Sequence, residues 1–199
     1  MEMKKLMEDI SAIMEGQLPD YYYHGSSSPI TNFSDEFVGR GNDEYGPGIY
    51  FSSVPSTAIG YAKDGANGVV YQCQLSLRKV LSKKQKINKA VLLKLMQATP
   101  DDEAYTNWDE NPNRAYQNAL NSYIDAETNM YDALMDVWYD WYRYHGTEFV
   151  RNLVKLGYDG YIYEFPNGER FVVVYNPASI KVVNSYSPEE ALQTLVKSK

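Results

Sequence analysis

The chain has one cysteine, Cys73, and two histidines, His24 and His145. A lone cysteine rules out an intrachain disulfide, so the fold needs no oxidising compartment. One thiol and two distant imidazoles leave no spacing that reads as a zinc site, so no metal is expected. No apolar run approaches the ~20 residues that a membrane-spanning helix requires, and no membrane partner is expected. Basic residues are the minority: 19 Lys and Arg against 26 Asp and Glu give a net charge of −7. That balance disfavours broad contact with phosphate backbones, though a local basic patch could still form. Internal repeats and low-complexity tracts are absent. The opening "MEMKKLMEDISAIMEG" mixes acids and bases too densely for a secretory signal. Leu6, Ile10 and Ile13 or Met14 share a helical face there, which predicts an amphipathic helix over residues 1–18.

What is present suits one soluble domain. The 199 residues, 44% hydrophobic and 23% charged, can bury a real core. The 19 tyrosines read mostly as half-buried packing residues with a polar tip. Residues 21–53 are loop-rich and lead through "GRGNDEYGPG" into a short strand ending near Phe51. A short helix follows, for which Ser56 or Thr57 is the expected cap. Residues 69–77 alternate, with Val69, Tyr71, Cys73, Leu75 and Leu77 on one face, as a half-buried strand does. Residues 84–150 are helical in pattern and form an insertion. Within it Met130, Leu134, Val137, Trp138, Trp141 and Tyr142 keep helical spacing, and Asp132, Asp136 and Asp140 line another face, read as solvated. "GYDGYIYEF" and "ERFVVVYNP" are the next strands, joined by the "PNG" turn, the second continuous in valine and therefore buried on both faces. A last strand lies in "ASIKVVNSY". Ser187, Pro188 and Glu190 have capping-box spacing for a helix over 187–199. Strands bracket the helices instead of alternating with them, which favours α+β.

Three short motifs carry chemistry when taken together: "YHGS" at 23–26, "GPGIYFSS" at 46–53 and "AIGYA" at 58–62. With the tail "GYDGYIYE…FVVVYNPASIKVV", they resemble the diphtheria-toxin-like ADP-ribosyltransferases. That group includes the poly(ADP-ribose) polymerase catalytic core and the small phage and bacterial domains found in polyvalent proteins. The resemblance covers residues 21–81 and 146–183. It implies a split antiparallel β-sandwich within a single domain, 1–199, and NAD as substrate. His24 would bond the adenosine ribose, Gly25 would hold the nicotinamide carboxamide through its backbone, and Ser26 would sit beside it. Tyr50 and Tyr61, eleven residues apart as in the family, would sandwich the nicotinamide. Many relatives carry a serine three residues before the second tyrosine; this chain has Ala58, and Thr57 is the neighbour able to replace the lost contact.

Those residue types suit the reaction. Breaking the nicotinamide–ribose bond leaves an oxocarbenium-like sugar, as glycoside cleavage does. Aromatic faces hold a cationic ring, and a carboxylate stabilises the developing charge. The family's glutamate position aligns with Phe171. Glu169, two residues earlier, is the first candidate for that role, with His24 and Tyr50 completing the catalytic set. If Asn167 and Gly168 are the two central residues of the hairpin, Glu164 lies opposite Phe171, with Cβ atoms ~5 Å apart, and is the second candidate.

The expected activity is mono-ADP-ribosylation of a macromolecule, a protein before a nucleic acid, by a phage or bacterial effector acting in a cytoplasm. A module of the same fold with impaired catalysis and an NAD glycohydrolase are the alternatives.

Overall fold

The structure is a computed structural model that describes residues 21–38, 44–101, 103–143 and 145–197. The helix expected over residues 1–18 lies outside them. No described helix is long and apolar enough to cross a membrane.

The described residues form seven strands: β1 (Tyr22–Ser26), β2 (Ile49–Ser52), β3 (Val69–Leu75), β4 (Val80–Leu81), β5 (Gly160–Glu164), β6 (Arg170–Val174) and β7 (Ile180–Tyr186). They run β4-β5-β6-β2-β1-β3-β7, and each neighbouring pair is antiparallel except β4 with β5. The ladder is nearly severed in the middle. β1 and β2 share a single residue pair, Tyr23 with Ser52. β1 keeps five pairs with β3, and β2 keeps four with β6. The sheet therefore behaves as two halves that part beyond that one bridge, consistent with the expected split α+β architecture.

Among the described residues six α-helices accompany the strands: α1 (Pro55–Ala62), α2 (Lys89–Gln97), α3 (Pro112–Ala126), α4 (Met130–Val137), α5 (Gly146–Lys155) and α6 (Pro188–Ala191). α2 to α5 all fall between β4 and β5. Asn88, Asn111 and Asn129 cap the first three of them by accepting bonds from first-turn N–H groups, which explains where each begins. The segment 114–144 is therefore two helices, broken before Asn129, and α4 runs on as a wide turn over Trp138–Tyr142. The expected capping box forms at Ser187 and Glu190.

The main core lies between these helices and the sheet. Leu92, Leu95, Leu134, Trp141, Phe149 and Leu153 are buried in one cluster with Phe51, Tyr161 and Val172–174. Each such side chain contributes about 1.5–3 kcal/mol on burial. Val172, Val173 and Val174 are all under 2% exposed, as a strand covered on both faces requires. A second, smaller cluster of Ala58, Ile59, Ala62, Val70 and Ala191 lies under α1 and α6. It seats α1 on β1, and that contact places two site residues.

The insertion contains the polar core. Trp141 Nε1 donates to the Tyr123 hydroxyl at 3.0 Å, which donates to Asp140 Oδ2 at 2.7 Å. Asp132 pairs with Lys83 at 3.3 Å. The acidic stripe is thus not wholly solvated. Partial burial, with Glu127, Asp140 and Asp132 nearby, pushes the Asp136 carboxyl up to about 6. A carboxyl raised in the folded state costs stability above that value and costs nothing below its unfolded value near 4. Asp136→Asn is therefore expected to stabilise the protein at pH 7 by about 1 kcal/mol after allowance for solvent screening. The gain should fade between pH 6 and pH 4 in urea titrations. Among the described residues, no group of three His, Cys, Asp or Glu side chains is arranged to hold a metal ion. Cys73 is buried, and burial pushes its thiol up to about 12, so it does not act as a nucleophile at neutral pH.

Candidate active site

The site begins where β1 and β2 separate. There the side chain of His24 reaches across from β1 to β2: its Nδ1 lies 2.7 Å from Tyr50 O. A carbonyl can only accept, so the proton is on Nδ1. Burial lowers the His24 pKa, and this outweighs the opposing effect of the Tyr50 bond. The ring is neutral at pH 7, and Nε2 is left as an acceptor for a donor such as a sugar hydroxyl. Phe33 meets the ring edge-on at 5.1 Å, and Phe51 lies at 5.5 Å. The imidazole is held on three sides.

His24 and Tyr50 both line two adjoining cavities of about 320 and about 600 Å³, each within the range that holds a small-molecule ligand. The smaller one is bounded by Gly25, Tyr50, Tyr61, Thr57, Ala58 and Phe171, among others. The Tyr50 hydroxyl donates to Gly46 O at 2.6 Å and accepts from Tyr45 N at 2.9 Å, so its ring is fixed to the preceding loop. Tyr61 is 60% exposed; it stands at the mouth on α1, outside the core. Ser26 lines the larger cavity, and its hydroxyl is bonded to Ser28 O at 2.7 Å.

Gly25 is required by packing as well as by the site. A Cβ there would lie 1.9 Å from Ala58 O and 2.8 Å from Ala58 C. α1 crosses β1 so closely that only a glycine fits beneath it. The same closeness brings the backbone of Gly25 to the wall of the smaller cavity.

The two glutamate candidates separate cleanly. Phe165 N donates to Glu169 O at 2.8 Å and Gly168 N to Phe165 O at 2.9 Å, with Gly168 at φ +85°. This is a three-residue loop with a left-handed glycine closing a bulge. It is not the two-residue turn that places Glu164 opposite Phe171. The extra residue shifts the pairing, so Glu164 faces Arg170 and Tyr163 faces Phe171. Glu164 is instead an exposed hairpin charge, paired with Arg170 at 3.2 Å. Phe171 is packed in an aromatic group with Tyr45 (5.7 Å) and Phe165 (4.9 Å).

Glu169 is bonded to two residues of the cavity wall. Its Oε1 accepts from Ser52 Oγ at 2.8 Å and from Thr57 Oγ1 at 2.7 Å. Both donors line the smaller cavity with His24, Tyr50 and Tyr61. The structure thus ties the Glu169 carboxylate to two residues that line the cavity with the histidine and the two tyrosines. Thr57 does not cap α1, whose N-cap is Val54 followed by Pro55. Its hydroxyl is committed to Glu169. Ser52 was not singled out from the sequence, because the partner that gives it meaning is 117 positions away. Tyr45 and Glu44 also line the cavity and were likewise not anticipated.

A comparison with solved structures finds one described as "Crystal structure of an anti-CRISPR protein", at 15% identity and a TM-score of 0.32, covering 86% of this chain and 100% of that one. No curated protein matches the sequence. The family described as ADP-ribosyltransferase in polyvalent proteins matches residues 15–190, which include every strand and every site residue above, and the chain belongs to that family.

Proposed function

We propose that the protein is a mono-ADP-ribosyltransferase that moves ADP-ribose from NAD to a macromolecular acceptor in the cytoplasm and releases nicotinamide. The observation that carries this reading is the Glu169 carboxylate, bonded to Ser52 and Thr57, which line one cavity with His24, Tyr50 and Tyr61. In this reading the nicotinamide ring lies between the tyrosine faces, with its carboxamide on the backbone of Gly25. Neutral His24 accepts a ribose hydroxyl through Nε2. As the glycosidic bond breaks, positive charge grows on the ribose, and Glu169 stabilises it. An acceptor nucleophile then bonds to the anomeric carbon and gives up its proton, and neutral nicotinamide departs. With a net charge of −7, a protein acceptor is favoured over a nucleic acid.

Tyr61 tests the binding half of this reading without disturbing the fold. Because it is exposed, Tyr61→Ala should leave the melting temperature unchanged. Loss of one stacking face, worth about 1 kcal/mol, should weaken NAD binding by about 5- to 10-fold in a calorimetric titration.

One observation favours a second reading. Phe171 occupies the place of the family's glutamate and is absorbed into an aromatic cluster, as in a module that binds NAD without turning it over. Calorimetry combined with chromatographic detection of nicotinamide separates the two. NAD binding with nicotinamide release supports the transferase, binding without release supports the module, and absence of binding excludes both. Free ADP-ribose as the sole product would identify a glycohydrolase.

A further inference from the structure

We infer that Ser52 and Thr57 are positioning residues that together replace the strand position from which the family's glutamate acts. The inference rests on the transferase reading above. Glu169 precedes β6 and belongs to the bulged end of the hairpin, where the pleat no longer dictates the direction of its side chain. A carboxylate in such a place requires other anchors, and two are present. Ser52 is on β2, directly opposite Phe171. Thr57 is in the first turn of α1. Both hydroxyls converge on the same oxygen, Oε1, while Oε2 accepts no hydrogen bond among the described residues. The clamp thus fixes one carboxylate oxygen and leaves the other uncommitted among the described residues.

Each donor is itself oriented. Val54 N donates to Ser52 Oγ at 2.8 Å, which fills an acceptor site on that oxygen and turns its single proton outward. That proton has two acceptors in reach, Val54 O at 3.1 Å and Glu169 Oε1 at 2.8 Å, and the shorter bond to a carboxylate is the stronger. Ser52 is only 4% exposed, so water does not compete for it. Thr57 is β-branched and helical, with few rotamers open to it.

The test is steady-state nicotinamide release with Thr57→Val, Thr57→Ser, Ser52→Ala and Glu169→Gln, each first shown to be folded by circular dichroism and melting. Valine matches the shape of threonine but lacks the hydroxyl. Thr57→Val and Ser52→Ala should each lower kcat about 10- to 100-fold, as a mispositioned catalytic group does, with KM for NAD within about threefold of wild type. Thr57→Ser should recover most of the lost kcat. On a Glu169→Gln background, Thr57→Val should cause no further loss, because its effect passes through the carboxylate. If Thr57→Val keeps wild-type kcat, or raises KM alone, while Glu169→Gln is inactive, the positioning role is overturned and the transferase reading stands. If Glu169→Gln keeps wild-type turnover, or the wild type releases no nicotinamide, both fall.

Discussion

Glu169→Gln is expected to lower nicotinamide release by about 100- to 1000-fold, or about 2.7–4 kcal/mol of barrier, the usual loss when an electrostatic stabiliser of a charged transition state is removed. The substitution is chosen to change charge and little else. Glutamine keeps an Oε1 acceptor for the hydroxyls of Ser52 and Thr57, so the hairpin stays in place and NAD affinity should remain close to that of wild type. Glu164→Gln is the matched control. Its carboxylate is half exposed and its partner is Arg170, a surface pair worth under ~1 kcal/mol of stability. Turnover should stay within about twofold of wild type, a bound well inside the range ordinary surface changes produce. Parallel progress curves of nicotinamide release for the two variants decide which glutamate acts. Equal losses in both would mean the hairpin matters as a shape and not through one carboxylate.

Gly25→Ala should have the largest effect on stability. The added methyl would sit 1.9 Å from Ala58 O and 3.1 Å from Ala62 N. These are backbone atoms of α1, so no rotamer change relieves the clash and the helix itself must move. Overpacking of this kind costs about 3 kcal/mol, or roughly 6–12 °C of melting temperature for a chain of this size. α1 carries Thr57 and Tyr61, so the same displacement should abolish activity in whatever fraction remains folded. Gly60→Ala is the contrasting case. Gly60 is also on α1, yet nothing lies within 4 Å of its missing Cβ. There the substitution relieves the entropic cost of a mid-helix glycine and should stabilise by about 0.5–1 kcal/mol. Differential scanning calorimetry of the two variants would show shifts of opposite sign from one helix.

The contrast between local and distant information explains what the sequence conveyed. His24, Tyr50 and Tyr61 were legible because each belongs to a short motif whose spacing is set by one strand or one helix. Capping at Ser187 and the doubly buried valines of β6 were legible for the same reason. The order of the strands was not, since the single Tyr23–Ser52 bridge that opens the cleft leaves no local trace. Ser52 reads locally as an ordinary strand residue, because its partner lies in the distant β5–β6 hairpin. Glu164 meets Phe171 only if Asn167 and Gly168 are the two central turn residues, but Pro166 suits the second position of a four-residue turn and Gly168 the left-handed position that follows. Counting the loop as three residues moves Glu164 opposite Arg170, while Glu169 bonds Ser52 and Thr57.

The most direct measurement follows two labels on NAD through one reaction, one in the nicotinamide ring and one in the adenylate phosphate, with a cell lysate as the source of acceptor. The account predicts that wild-type protein frees the nicotinamide label while the phosphate label becomes attached to a macromolecule, in equal amounts, and that Glu169→Gln does neither. Undiminished transfer by Glu169→Gln, or NAD that binds and stays intact with both labels together, would contradict it.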